Sequence, residues 1–255
     1  MVKMSDNLTG QKKTAVITGG SSGIGFAVAS RLAADGLTCI LIGRNRQKLE
    51  EACRKTGNNS YGFPADLTDL SSLPALVREI ASKFGRIDVL VNNAGIHLKK
   101  PALEVTDEEY QRVILTNQTS VFVLTRETAK IMAAAGGGSV INISSMASHY
   151  GLPGVIAYAA SKSAVEGMTR SLAVELAPYN IRVNCIAPGF IKTDMSSSAL
   201  DSDPSRKERV LARTPMARLG KPSEVADAVS FLVSEAASFI TGIVMPVDGG
   251  NSIGF

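Results

Sequence analysis

Short apolar runs alternate with longer amphipathic stretches along nearly all of the 255 residues. "TAVIT" at 14–18 and "TCILIG" at 38–43 read as buried strands, followed by helices over 23–35 and over "RQKLEEACRKT". "DVLVNNAG" at 88–95, "SVINIS" at 139–144, "IRVNCIAPG" at 181–189 and "GIVMPVDGG" at 242–250 read as further strands ending in polar or glycine-rich residues. Apolar positions at helical spacing fill the gaps, notably 106–134, 155–178 and 222–235. Strands alternating with helices predict right-handed crossovers and a parallel sheet covered on both faces, an α/β fold. No linker, repeat or low-complexity stretch divides the chain, so a single domain over 1–255 is expected. One segment departs from the pattern: 193–220 is polar, carries Pro204 and Pro215, and shows no strand character. It is long for a connector, and a lid over a site is the expectation.

Composition narrows the function. The chain is 45% hydrophobic, lacks Trp and is rich in Ala and Gly, which suits close packing of helices on a sheet. Its 27 basic and 23 acidic residues leave a formal charge of +4, scattered along the chain. That argues against a nucleic-acid surface and leaves a modest preference for anionic ligands. Cys39, Cys53 and Cys185 match neither a metal spacing nor a disulfide framework, so no metal is expected. The polar start "MVKMSDNLTGQKK" lacks the apolar core of a signal peptide, and no apolar run approaches membrane-spanning length. A cytoplasmic protein with no membrane partner is expected, in which the sequons at Asn7, Asn58 and Asn117 carry no sugar.

Candidate chemistry begins at "TGGSSGIG", Thr18 to Gly25, between the first strand and the first helix. Gly19, Gly23 and Gly25 follow a Gly-x-x-x-Gly-x-Gly spacing rather than the G-x-G-x-x-G fingerprint. The physics is shared: glycines let backbone approach a pyrophosphate, and the helix start offers free N–H groups and a positive dipole end. An acid about 20 residues further on would accept from a ribose 2′-hydroxyl. Here "LIGRN" places Gly43 at that point and Arg44 after it, and a guanidinium can fork onto a 2′-phosphate, which favours NADP(H) over NAD(H). In "ADLTD", Asp66 can accept from an adenine amino group with Leu67 packed on the ring; capping a helix is its equal rival. In "YAASK", Tyr158 and Lys162 stand four apart, on one face of a helix. A cation within ~4–6 Å lowers a phenol from about 10 by roughly 1–3 units, towards the range useful for proton transfer.

Taken in order, "TGGSSGIG", "NNAG" (Asn92 to Gly95), "NISS" (Asn142 to Ser145), "YAASK" and "APGFIKTDM" (Ala187 to Met195) resemble the short-chain dehydrogenase/reductase family over nearly the whole chain. The resemblance implies a Rossmann-like, doubly wound parallel sheet of about seven strands with helices on both faces. It implies a catalytic set of Asn117, Ser145, Tyr158 and Lys162, Ser145 standing 13 residues before Tyr158. In that set Tyr158 moves the proton, Lys162 supplies charge and holds the nicotinamide ribose, Ser145 bonds the reacting oxygen, and Asn117 holds a water that completes a relay. The cofactor-binding residues it implies are Gly19, Ser21, Ser22, Gly23, Ile24 and Gly25 in the first turn, then Arg44, Asn45, Asp66 and Leu67. Asn93, Ala94, Gly95, Tyr158 and Lys162 follow, with Pro188, Gly189, Ile191 and Thr193 at the lid.

Loops expected around the reacting carbon, "GIHLKK", "MASHYG" and the lid, supply His97, Lys99, Lys100, Ser148, His149 and Tyr150. With Ser145 and Tyr158, His97, Ser148 and His149 are the substrate candidates; this polar, partly basic set suits a hydroxylated or anionic carbonyl/alcohol substrate better than a steroid. "NQTSVFVLT", "INISSMAS", "AYAASKSAVEGMTRSLAVELA" and "RTPMARLGKPSE" look most like gluconate 5-dehydrogenase and related keto-sugar or polyol reductases. The 3-oxoacyl-acyl-carrier-protein reductases come next, and Lys99, Lys100, Arg206, Lys207 and Arg209 suit an acidic carrier as well as a sugar acid. A non-catalytic nucleotide-sensing module is the reading from another class; it would be expected to lack Tyr158 or Lys162, and both are present. The resemblance also implies a homotetramer, built on the helix of Tyr158 and on the C-terminal "GIVMPVDGGNSIGF".

Overall fold

The computed structural model describes residues 12–57, 59–193 and 204–254. Its apolar runs form β1 (Thr14–Thr18), β2 (Thr38–Gly43), β4 (Val89–Asn92), β5 (Gly138–Ile143), β6 (Ile181–Pro188) and β7 (Val244–Val247). With β3 (Ser60–Pro64) they make one seven-stranded sheet in the order β3-β2-β1-β4-β5-β6-β7, every pairing parallel. Successive side chains of a strand point to opposite faces. Ala15, Ile17, Cys39 and Leu41 therefore pack on one side, with Val28 and Leu32 of α1 (Gly23–Ala34) and Val225 and Val229 of the late helix Pro222–Val233. Val16, Ile40, Ile42 and Leu90 pack on the other, with Val77 and Ile80 of α3 (Leu73–Phe84) and Leu124 and Met132 of α5 (Ser120–Ala134). Burying each such side chain stabilises by roughly 1.5–3 kcal/mol. Stability thus resides in the two layers, and the rim at the C-terminal ends of the strands is free for chemistry. Strand order reverses beside β1, and open α/β sheets bind ligands at that crevice.

Several boundaries differ from those the pattern predicts. The strand expected over 88–95 stops at Asn92 because Asn93 and Ala94 turn back to bond Thr18. β3 escapes the periodicity reading because it is an edge strand with only Phe63 of its five residues buried. The helix expected over 106–134 is α4 (Asp107–Ile114) and α5 joined by a π-helical turn, Leu115–Thr119. A capping box of Thr106 and Glu109 starts α4. α2 (Arg46–Thr56) and α6 (Ile156–Leu176) lie within a residue or two of expectation. Part of the expected lid is helical: α7 spans Pro204–Arg213, and α8 (Pro222–Val233) follows. Residues 194–203, the Asn7 and Asn58 sequons and the Arg206 side chain lie outside what is described. No helix among the described residues is long and apolar enough to cross a membrane.

Candidate active site

Two turns are stitched together at the rim. The Thr18 hydroxyl accepts from the N–H groups of Asn93 and Ala94, each at 3.0 Å, and Asn93 Nδ2 donates to the Thr18 carbonyl at 3.0 Å. This closeness dictates glycine. Gly19 has φ 65°, and a Cβ at Gly25 would sit 2.2 Å from the Gly19 carbonyl oxygen and 2.5 Å from Asn93 Nδ2. Ser22 starts α1 in extended conformation and its side chain caps nothing, so the first-turn N–H groups remain available to an anion. Ser21 and Ile24 belong to the same turn. Thr193 stands over it, its Cγ2 3.5 Å from where a Gly23 Cβ would be. Pro188 ends β6, Gly189 donates to the Val247 carbonyl at 3.0 Å, and Ile191 bridges to Gly220, which fixes the approach to Thr193. A turn opened by the glycines at 19, 23 and 25 and closed by an uncapped helix start fits a dinucleotide pyrophosphate.

Arg44 is exposed at the end of β2 beside Gly43. Asp66 Oδ1 accepts from Thr68 N at 2.9 Å and Thr68 Oγ1 at 2.8 Å, a local turn rather than a helix cap. Those bonds, with a smaller contribution from Arg44, hold its carboxyl below the usual range. Leu67, expected on the adenine ring, is buried instead in the layer of Ile42 and Phe63. Asn45 caps α2, accepting from Lys48 N at 2.9 Å, because its side chain reaches an N–H that the helix leaves unpaired.

The catalytic candidates converge from three elements. α6 carries Tyr158 and Lys162 one turn apart, and Lys162 Nζ lies 5.6 Å from the centre of the Tyr158 ring. That ammonium is buried and donates to the Ile143 carbonyl at 2.7 Å. Burial brings its pKa down from 10.5 to about 8. The phenol does not follow the expectation that Lys162 lowers it. Burial pushes it above its usual value, and the opposing pull comes from a hydrogen bond with Ser145. The reason is geometric: the ammonium sits by the ring and bonds the backbone, while desolvation penalises the phenolate. Ser145 begins the turn after β5, accepting from Ala147 N at 3.2 Å. The His97 ring packs against Tyr158 with centres 4.7 Å apart. A Cβ at Gly95 would lie 3.2 Å from Asn117 Oδ1 and 3.6 Å from Lys162 Nζ, so the Asn93–Gly95 loop and α6 meet there.

Asn117 lies in the π turn, fully buried, and its side chain is taken up by protein. It accepts from Ile96 N at 2.8 Å and donates to the Ile96 carbonyl at 2.9 Å and to Ser161 Oγ at 3.2 Å. It braces the rim loop against α6. Ser148 and His149, the expected substrate contacts, both bond Glu166 Oε1, the His149 Nε2 at 3.1 Å. Tyr150 donates to Asn251 Oδ1 at 2.6 Å. Sequence reasoning missed Glu166, Asn251 and the buried bridge of Asn92 to Asn142 (2.9 Å) and Thr125 (3.0 Å) beneath the rim. Asn92 and Asn142 were visible as the polar ends of two apolar strands; Glu166 and Asn251 gave no signal. No cluster of His, Cys, Asp and Glu able to hold a metal is found among the described residues.

A family model described as Enoyl-(Acyl carrier protein) reductase matches residues 19–252. The chain is 38% identical over 245 residues to a 3alpha-hydroxysteroid dehydrogenase of Mediterraneibacter gnavus, covering 94% of this chain and 96% of that one. It is 39% identical over 245 residues to the 3-oxoacyl-acyl-carrier-protein reductase of Thermotoga maritima (93% and 97% covered). It is 40% identical over 250 residues to the 5-keto-D-gluconate 5-reductase of Escherichia coli (97% and 98%). Among solved structures, a variant of actinorhodin polyketide ketoreductase with NADPH is 34% identical with a TM-score of 0.90, covering 95% of this chain and 98% of that one.

Proposed function

Because the chain belongs to the short-chain dehydrogenase/reductase family and is an oxidoreductase of the CH–OH/C=O couple, we propose that it is an NADP(H)-preferring reductase of a keto-sugar acid or polyol. The observation that carries the reaction is the Tyr158 phenol, bonded by Ser145 and flanked by Lys162, on the rim where the glycine turn ends. Arg44 beside Gly43, with no acid at that strand end, supports a 2′-phosphate partner. The gluconate reductase relative and the polar rim residues support the substrate class.

A bound nicotinamide cofactor supplies the hydride. The glycine turn and the start of α1 hold its pyrophosphate, Arg44 its 2′-phosphate, and Lys162 its ribose. Tyr158 gives its proton to the substrate oxygen; burial keeps the phenol protonated at neutral pH, the form that reduction requires. Ser145 donates to the same oxygen as charge develops there. Asn117 keeps α6 aligned with the Asn93–Gly95 loop. A cytoplasmic homotetramer is part of this proposal, supported by exposed Phe122 and Val174 on the helices and Phe239 and Ile253 near the C-terminus.

The test follows NADPH and NADH oxidation with 5-ketogluconate and other keto-sugar acids against acetoacetyl thioesters. Keto-sugar acids with NADPH are expected to turn over fastest. Faster thioester reduction would favour the carrier-protein reductase, for which exposed Lys99 and Arg209 offer a basic face. Cofactor binding without turnover on any carbonyl would favour a sensing module. Tyr158→Phe should keep cofactor binding and lose roughly 10²–10⁴-fold in kcat, the worth of positioned proton transfer.

A further inference from the structure

Tyr158, Lys162 and Glu166 are spaced four apart on α6, so the helix presents a phenol, an ammonium and a carboxylate along one face. The first two serve the reaction proposed above; the third has no part in it. Glu166 is only 8% exposed, and a buried carboxylate is costly unless it is hydrogen-bonded. Its Oε1 accepts from Ser144 Oγ at 2.9 Å, from Ser148 Oγ, and from His149 Nε2 at 3.1 Å. Those donors bracket Ser145. Ser144 precedes it, and Ser148, whose single hydroxyl proton is shared between Glu166 Oε1 and the Ser145 carbonyl, closes its turn. One oxygen therefore clamps both ends of the turn that aims the Ser145 hydroxyl at Tyr158. A side chain midway along the same helix thus holds the turn in register with the phenol and ammonium.

We infer that Glu166 is a positioning residue for this reaction, acting through Ser144, Ser148 and His149 to fix the Ser145 hydroxyl against Tyr158. The inference rests on the reductase reading of Ser145 and Tyr158. Three side chains converge on this one carboxyl oxygen, so the positions of Ser144, Ser148 and His149 are set together. A side chain that only fills space would give stability without rate. A positioning carboxylate gives rate, because a misplacement near 1 Å can cost about 10²-fold.

The experiment measures kcat, substrate KM, cofactor Kd and melting temperature for wild type, Glu166→Ala, Glu166→Gln, Ser148→Ala and the Glu166→Ala/Ser148→Ala pair. Glu166→Ala should lower kcat by about 10- to 100-fold with cofactor Kd held within about two-fold. Glu166→Gln keeps an acceptor oxygen in place and should recover most of that loss. Ser148→Ala should cost several-fold, and the double variant should be no slower than Glu166→Ala alone, since both act on one turn. Should Glu166→Ala prove too unstable to study, the Ser148→Ala and Glu166→Gln rates decide: a wild-type kcat in Ser148→Ala overturns the inference. So does a Glu166→Ala kcat equal to wild type, or a double variant whose losses simply multiply. Absence of turnover in wild type itself would instead sink the reductase reading, so the two failures are distinguishable.

Discussion

On the proposed cofactor wall of the rim, Thr18–Gly25 is held close to the main chain: Gly19 N–H donates to the Ile42 carbonyl, the short Thr18 hydroxyl accepts from the loop N–H groups of Asn93 and Ala94, and the missing Cβ of Gly25 makes room for the Gly19 oxygen. On the proposed substrate wall, Ser144–Tyr150 is fixed by side chains that reach other elements, Glu166 on α6 and Asn251 near the C-terminus. Backbone packing tolerates almost no substitution, whereas a side-chain clamp can be rebuilt residue by residue around a different substrate. This division suits an enzyme whose relatives act on steroid, acyl and sugar carbonyls by their names while sharing one fold.

The sharpest way to break that contrast is Gly25→Ala. The added methyl meets backbone at 2.2 Å, which cannot yield by rotating a side chain. Overpacking of this kind costs typically ~1–3 kcal/mol, and the turn that must open is the one proposed to hold pyrophosphate. Cofactor affinity should fall by about 100-fold or more in a fluorescence titration. Affinity within three-fold of wild type would mean the turn is elastic, and the two walls would not differ as described.

A second test concerns Lys162, where the walls meet. Its folded pKa of about 8 lies below the ordinary 10.5, so the folded protein disfavours the protonated form. The drop corresponds to a penalty of roughly 3 kcal/mol. It is present in full at pH values below about 8 and is relieved as pH rises from there towards 10.5. Lys162→Met removes it, although the Ile143 carbonyl loses its donor. In the cofactor-free protein the variant should melt roughly 2–6 °C higher at pH 7, an advantage that shrinks by pH 10. A lower melting point at pH 7, or a gain that grows with pH, would show that the buried ammonium stabilises the fold.

The same contrast explains what the sequence made legible. β1, β2 and β5 announce themselves because strands covered on both faces must be apolar throughout, and the glycines mark where backbone meets backbone. β3 is silent because an edge strand with Tyr61 and Gly62 exposed has no such constraint. The π turn at Asn117 is silent because one extra residue in a helical turn leaves the apolar spacing on either side almost unchanged. Tyr158 and Lys162 could be found because their relation is local, four residues on one helix. Glu166 could not, because its donors lie 17 to 22 residues away and only the packing of α6 against β5 brings them together. For the same reason the bonds of Ser148 and His149 to Glu166 were not legible: sequence reveals which loop they occupy, and tertiary contacts decide which partner they meet.

The smallest effect is expected furthest along the substrate wall. Asn251 is buried, and its amide nitrogen donates to Thr214 Oγ1 at 2.8 Å, just past the end of α7. Its amide oxygen accepts from the Tyr150 hydroxyl, while Arg213, the last residue of α7, lies over the Tyr150 ring at 4.5 Å and donates through Nε to the Asn251 carbonyl. The Ser145 loop and α7 are thus joined through one asparagine. Tyr150→Phe keeps the ring under Arg213 and deletes only the hydroxyl bond, leaving Asn251 Oδ1 without that donor. A neutral hydrogen bond of this sort contributes about 1 kcal/mol, so substrate KM should rise roughly five-fold with cofactor affinity unchanged. An equal loss in cofactor affinity would mean that the two walls move as one body, and that side-chain clamping on the substrate side is not independent of the glycine turn.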